Sequence, residues 1–175
     1  MASNYENIKL GPCKVTFDPD GATPIVLETT IGGVQLNYSE TYRDVVTDQT
    51  GTTPVKKIRT GQAVSVVIPY AEEDLTTLSK LIPGSTLVTG ATSSTKRLDV
   101  PAKVVDMLDY AKKVKIEPLN GTVEETVTLY KAAPELTIST TYNHDNERVY
   151  NVTFTGYPDS AIDNDLFSIG DPAAV

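Results

Sequence analysis

The sequence predicts a mainly β protein: an antiparallel β-sandwich or partly closed barrel with one flanking α-helix and a long projecting hairpin arm. Three observations carry this expectation. Apolar and polar residues alternate with period two through most of the chain, the pattern of half-buried strands. Only one stretch, Ala71–Gly84, repeats leucines at helical spacing. The alternating runs are separated by short clusters of Gly, Pro, Asn and Asp, which make turns rather than helical crossovers.

Taken in order, the first strand is Cys13–Phe17, ended by the turn residues Asp18-Pro19-Asp20-Gly21. Thr23–Thr29 follows as a second. A long strand then runs from Gly33 to about Tyr42. Val34, Leu36 and Tyr38 lie on one face of it; Gln35, Asn37, Ser39 and Thr41 lie on the other. Its partner runs from Val55 to Tyr70, with Val64, Val66 and Ile68 on one face. Between them Arg43–Lys57 is polar, rich in Thr and Gly, and longer than an ordinary hairpin loop. The two strands are expected to continue into it as a projecting arm, partly flexible. Its residues include Arg43, Asp44, Val46, Asp48, Gln49, Gly51, Pro54, Lys56 and Lys57.

The helix is expected over Ala71–Gly84. Glu72, Glu73 and Asp74 crowd its first turn, where acids meet the positive end of the dipole. Leu75, Leu78 and Leu81 form the face that packs on the sheet, and Pro83-Gly84 stops the helix. Gly90–Arg97 is a loop. Further strands are expected at Leu98–Val105, Ala111–Pro118, Val123–Lys131, Glu135–Tyr142 and Arg148–Tyr157. Turns separate several of them at Leu119–Gly121, Ala133-Pro134 and Asn143–Asn146; Met107–Tyr110 suits a helical turn. Beyond Tyr157 periodicity is lost, and residues 158–175 read as an acidic, partly mobile tail. The 175 residues fit one domain.

Composition narrows the function. Apolar residues make up 39% of the chain, low for a compact monomer, so some elements are expected to bury area only against partners. The net charge is −8, and residues 132–175 hold seven acids against one base. Stable DNA binding needs clustered Lys and Arg, which are missing. Cys13 is the one cysteine, so neither an internal disulfide nor a thiolate zinc site is expected. No apolar run approaches the roughly 20 residues of a membrane span, and no leader pattern opens the chain. Synthesis and retention in the cytosol are expected.

Chemistry is thinly represented. His144 is the one histidine and sits in a turn, where exposure to water is the plainer reading. Asn143, Asp145 and Glu147 alternate and offer oxygens of the kind Ca²⁺ takes, but turn formation accounts for these residue types without an ion. No nucleophile elbow, phosphate loop or metalloprotease motif occurs. No catalytic, cofactor or metal residue is assigned, and a non-enzymatic role is expected.

Ile31–Gly84 carries a family resemblance. "GGVQLNYSETYRDVVTDQTG" leads to "TPVKKIRTGQAVSVVIPYAEEDL" and then to "L…PG", while "VYNVTFTGYPD" (Val149–Asp159) forms a later match. This ordered set resembles the major tail tube protein of long-tailed bacteriophages. The strong part covers about a third of the chain. The resemblance implies a β-sandwich or barrel flanked by a helix, hexameric rings that stack into a tube, and inner strands joined into one barrel around a lumen. It implies a virion location after assembly in the host cytoplasm. The partners it implies are further copies of the chain, a tape measure protein, and terminator and baseplate or distal tail proteins. DNA would pass through without stable binding. Gln35, Asn37, Ser39 and Thr41, small and uncharged, would line the lumen, and the arm would bridge rings with charge pairs from Asp44, Asp48, Lys56 and Lys57. Arg43 and Arg59 would face the lumen or pair between subunits. The same fold serves secretion and contractile injection tubes, an alternative that the sequence leaves open. A β-sandwich adhesin or carbohydrate-binding module is a further alternative, weakened by the absence of Trp.

Overall fold

A computed structural model describes residues 9–91, 95–145 and 147–171. Its strands are β1 (Cys13–Phe17), β2 (Ile25–Leu27), β3 (Gln35–Val45), β4 (Lys56–Tyr70), β5 (Thr86–Thr89), β6 (Lys96–Asp99), β7 (Lys112–Pro118), β8 (Val127–Ile138), β9 (Tyr150–Gly156) and β10 (Phe167–Ile169). The helix α1 spans Leu75–Leu81. The chain is mainly β, as expected. One antiparallel sheet has the order β2-β1-β7-β8-β9-β4-β3, with β10 added against β8; β5 and β6 form a separate hairpin.

The large sheet rolls on itself. Thr30, just past β2, bridges to Tyr70 at the end of β4. Ile31 N donates to Pro69 O at 3.0 Å and Ala71 N to Thr29 O at 3.0 Å, so the β2 side of the sheet meets β4. Inside lie Val15, Phe17, Leu27, Val64, Val66, Ile68, Val114, Leu129, Val152 and Phe154, all buried. Phe17 of β1 and Phe154 of β9 touch across this core with ring centroids 5.0 Å apart, although their strands are not neighbours. Gly156 permits one close approach: a Cβ there would lie 2.3 Å from Val64 Cγ1.

Several boundaries differ from expectation. The helix is shorter. Asp74 is its N-cap, accepting from Thr76 N at 3.2 Å and Thr77 N at 3.0 Å, so Glu72 and Glu73 precede the helix instead of filling its first turn. The strand expected over Leu98–Val105 ends at Asp99, two residues before Pro101, and β5 was not foreseen. Lys96 and Arg97, placed in a loop by sequence, begin β6; residues 92–94 of that loop lie outside the described residues. Val123–Glu125 is a 3-10 turn, as is Met107–Tyr110.

The turn expected at Ala133-Pro134 does not exist. β8 runs straight through it, merging the two strands expected on either side and stopping at Ile138. Proline is tolerated there because β7 ends opposite Ala132, and Pro134 pairs only with Phe154 of β9. The described part of the C-terminal segment is folded, not loose: β10 lies on β8, and a 3-10 turn at Ser160–Ile162 precedes it. Residues 172–175 of that segment, and Asn146 of the Asn143–Asn146 turn, lie outside the described residues.

Candidate functional site: a polar sheet face and its hairpin ribbon

β3 and β4 pair from Gln35↔Val67 to Val45↔Lys56. β4 pairs with β9 only from Ser65 onward. Everything beyond Ser65 toward the tip is therefore a two-stranded ribbon, longer than the arm expected at residues 43–57. Val46–Val55 closes it through turns, with Thr50 N donating to Thr47 O and Val55 N to Val45 O. Extended structure was expected over Thr47–Thr53; the hydrogen bonds among threonines favour turns instead. Val46, Asp48, Gln49, Gly51 and Pro54 are exposed in this tip.

Register assigns the faces. Gln35, Asn37, Ser39 and Thr41 stand opposite Val67, Ser65, Ala63 and Gly61 and point away from the core. All four are exposed. Ladder pairing carries the same face onto Thr155, Thr153 and Asn151 of β9 and onto Ala133, Glu135 and Thr137 of β8. In the body of the sheet the side chains on this face are small, and Glu135 is the one charge among those named, hydrogen-bonded by Thr155 Oγ1 at 2.9 Å. Toward the tip the same face carries two cations, Arg43 opposite Ile58 and Lys56 opposite Val45.

The other face holds Leu36, Tyr38, Glu40, Tyr42 and Asp44. Leu36 and Tyr38 were expected to meet the subunit core. They share its side of the sheet but are 36% and 41% exposed, because β3 is the edge strand and is flanked by β4 alone. Sequence reasoning missed Glu40, the centre of this face. Its carboxylate accepts from Tyr38 OH at 2.6 Å, from Arg59 Nη1 at 2.7 Å and from Tyr42 OH. Gln62 Nε2 donates to Tyr38 OH at 2.6 Å. Hydrogen bonds from Tyr38, Tyr42 and Arg59 pull the Glu40 pKa from its usual 4.5 down to about 2. A period-two reading of Tyr38-Ser39-Glu40-Thr41-Tyr42 contained the signal; Arg59 became a partner only through register.

Arg59 lies on the face opposite the polar one, where it pairs with Glu40. Within the chain Asp44 and Lys57 lie 3.9 Å apart across the ribbon, and Lys57 Nζ lies 5.5 Å from the Tyr42 ring centroid. Both are exposed, so the pair contributes little. Asp48 and Lys56 remain exposed.

Two stretches of strand edge are unpaired among the described residues. β3 pairs there only with β4, leaving its outer edge free along Gln35–Val45. β8 from Ala133 to Ile138 pairs with β9 alone, since β7 has ended. α1 buries Leu78 and Leu81 and leaves Leu75 half-buried. His144 is exposed. Asn143 Oδ1 accepts from Asp145 N at 3.3 Å in an Asx turn. Cys13 is half-buried, and burial raises its thiol pKa. Among the described residues no group of three or more His, Cys, Asp or Glu is placed to hold a metal, and no helix is long and apolar enough to cross a membrane. The chain matches no family model, and no curated protein sequence is similar to it.

Proposed function

We propose that this chain is a tube-forming structural subunit of the phage tail tube type, whose hexameric rings stack around a channel that conducts DNA. One observation supports the reading: a four-stranded antiparallel sheet, β3-β4-β9-β8, has an outer face that is small and nearly uncharged in its body, with Arg43 and Lys56 only toward the ribbon tip, and among the described residues each margin has an unpaired strand edge. An exposed eleven-residue edge is normally a liability. In a closed ring it becomes the joint. Strand directions alternate β8, β9, β4, β3, so β3 of one copy beside β8 of the next is again antiparallel, and the alternation survives closure.

The face suits the channel. Each phosphate held by Lys or Arg adds salt-sensitive affinity, which would arrest a sliding polyanion. Gln35, Asn37, Ser39 and Thr41 offer hydrogen-bonding surface without charge, and Glu135 repels. A tape measure protein during assembly, terminator and baseplate proteins at the tube ends, and other copies of the chain are the partners of this reading. The site of action is the virion tail.

The decisive experiment is negative-stain electron microscopy of the purified protein over a concentration series, with and without an initiator complex. Rings or tubes about a hundred ångströms wide are expected, one domain diameter on each side of a DNA-sized hole. A protein that stays monomeric under all these conditions overturns the reading.

A further inference from the structure

β9 and β10 are two halves of one strand. Tyr157 N, just past β9, donates to Lys131 O at 2.7 Å. Tyr130 N, the adjacent β8 position, donates to Leu166 O at 3.3 Å. Between these contacts the chain leaves β8 for eight residues, Pro158–Asp165, and returns to the same edge. The excursion is closed by an Asp159–Asp165 bridge and by Asn164 N donating to Asp159 O at 2.9 Å. Asp163 and Asn164 turn the chain back with φ of 54° and 65°, a left-handed conformation that Asp and Asn tolerate better than most residues.

What the chain returns to is a lightly held strand. β10 makes three ladder pairs with β8: Phe167↔Leu129, Ser168↔Thr128 and Ile169↔Val127. The paired hydroxyls Ser168 Oγ and Thr128 Oγ1 are buried without a hydrogen-bond partner, which costs stability. Ile169 is 65% exposed. The main apolar anchor is Phe167, which packs against the core.

Phe167 also reaches the ribbon. Its ring centroid lies 5.3 Å from that of Tyr38, and Tyr38 is the first member of the Glu40 network. Beside this contact lies a slot of about 220 Å³, lined by Tyr38, Arg59 and Gln62 and by Asn164–Phe167. The contacts therefore run without a break from Phe167 to Tyr38, to Glu40, and on to Tyr42 and Arg59 at the register shift between Thr41 and Tyr42. Among the described residues no other strand is hydrogen-bonded to the ribbon beyond Ser65, and a two-stranded hairpin alone is marginal in water.

We propose that the C-terminal strand is a latch for the ribbon: seated, Phe167 holds Tyr38 and the Glu40 network and stiffens the hairpin; released, it leaves the hairpin free to swing. Phe167 is thus a positioning residue, acting through Tyr38. This inference concerns the isolated chain and does not depend on tube formation.

Hydrogen exchange read by mass spectrometry on the full chain tests it. Phe167→Ala is expected to speed exchange across Tyr38–Val45 and Lys56–Gln62 by about ten-fold or more, while β1 and β7 stay protected. Ile169→Ala, on the same strand but exposed, is the control and should leave the ribbon unchanged. Phe167→Leu keeps an apolar anchor but loses the ring contact, and serves if the alanine variant does not fold; the same ribbon-specific loosening is expected. Unchanged ribbon exchange in a folded Phe167 variant overturns the proposal. So does loosening of β1 and β7 to the same extent as the ribbon, which would mark Phe167 as a core residue only.

Discussion

At the scale of single residues, Glu40 shows how a charge is made permanent on an exposed surface. Three donors surround one carboxylate, and protonation would cost it their hydrogen bonds. Its pKa of about 2 lies below the usual 4.5, so its contribution to ribbon order is fully present above about 4.5 and is lost as pH falls through about 2. The expected outcome is that the ring signals of Tyr38 and Tyr42, followed by NMR, move together over that acid window and stay constant up to neutrality. Glu40→Gln should remove the acid transition and weaken the coupling of both rings at neutral pH. Tyrosine signals that ignore the window, or a Glu40 carboxyl titrating near 4.5, would show that the network does not hold in solution. The polar half of this site was legible from sequence because Gln35, Asn37, Ser39 and Thr41 follow one period. The network was not, since Glu40 meets Arg59 across 19 residues and the bulge at Thr60, opposite Thr41 and Tyr42, shifts the pairing by one.

Among elements, α1 was legible as a leucine stripe, and its core contact is the simplest to test. Leu78 is 4% exposed and Leu81 fully buried. Leu78→Asp places a charge where apolar neighbours offer no partner, and should lower stability by roughly 2–4 kcal/mol, read as a fall in Tm. A Tm equal to that of the parent protein would place Leu78 outside the core. The strands were legible in kind and less so in extent. Pro134 reads as a turn residue in any local window, yet lies inside β8, because whether a proline breaks a ladder depends on which strands flank it. The C-terminal segment defeated local reading for a related reason. The half-strand Phe167–Ile169 is too short to show alternation, and its partner β8 lies nearly forty residues earlier. Acidic residues crowd the excursion, not the strand, so composition described the loop and concealed the element after it.

For the molecule as a whole, the polar face and the ribbon tip make separable claims on assembly. Asn37→Lys with Thr41→Lys places two cations on the polar face without touching the core; both side chains stand off the plane of edge strand β3, so its backbone hydrogen-bonding groups are unchanged. On the proposed tube reading, rings should form with the double variant as with the parent, but DNA should pass more slowly in low salt, where each phosphate contact counts most. Ejection at the parental rate would put that face outside the channel. The tip makes the stronger claim. Its ladder ends at Val45↔Lys56, so Val46–Val55 can be replaced by Asn-Gly, a pair that closes a two-residue hairpin with the twist the strands require. Nothing in the core is lost, because Val46 and Val55 are about half exposed and the Glu40 network lies nearer the body. The shortened protein should keep its Tm within a few degrees and its ribbon protection in hydrogen exchange. What it loses is reach. Val46, Asp48, Gln49 and Lys56 have no bulk of their own chain to pack against, and a segment so exposed gains order chiefly from a second surface. If that surface is the next ring, the shortened protein should stop at monomers or single rings by sedimentation and microscopy, since the lateral edges β3 and β8 remain intact while stacking fails. Full-length tubes from the shortened protein would move the contact between rings away from the ribbon tip and leave the lateral joint as the ribbon's whole role.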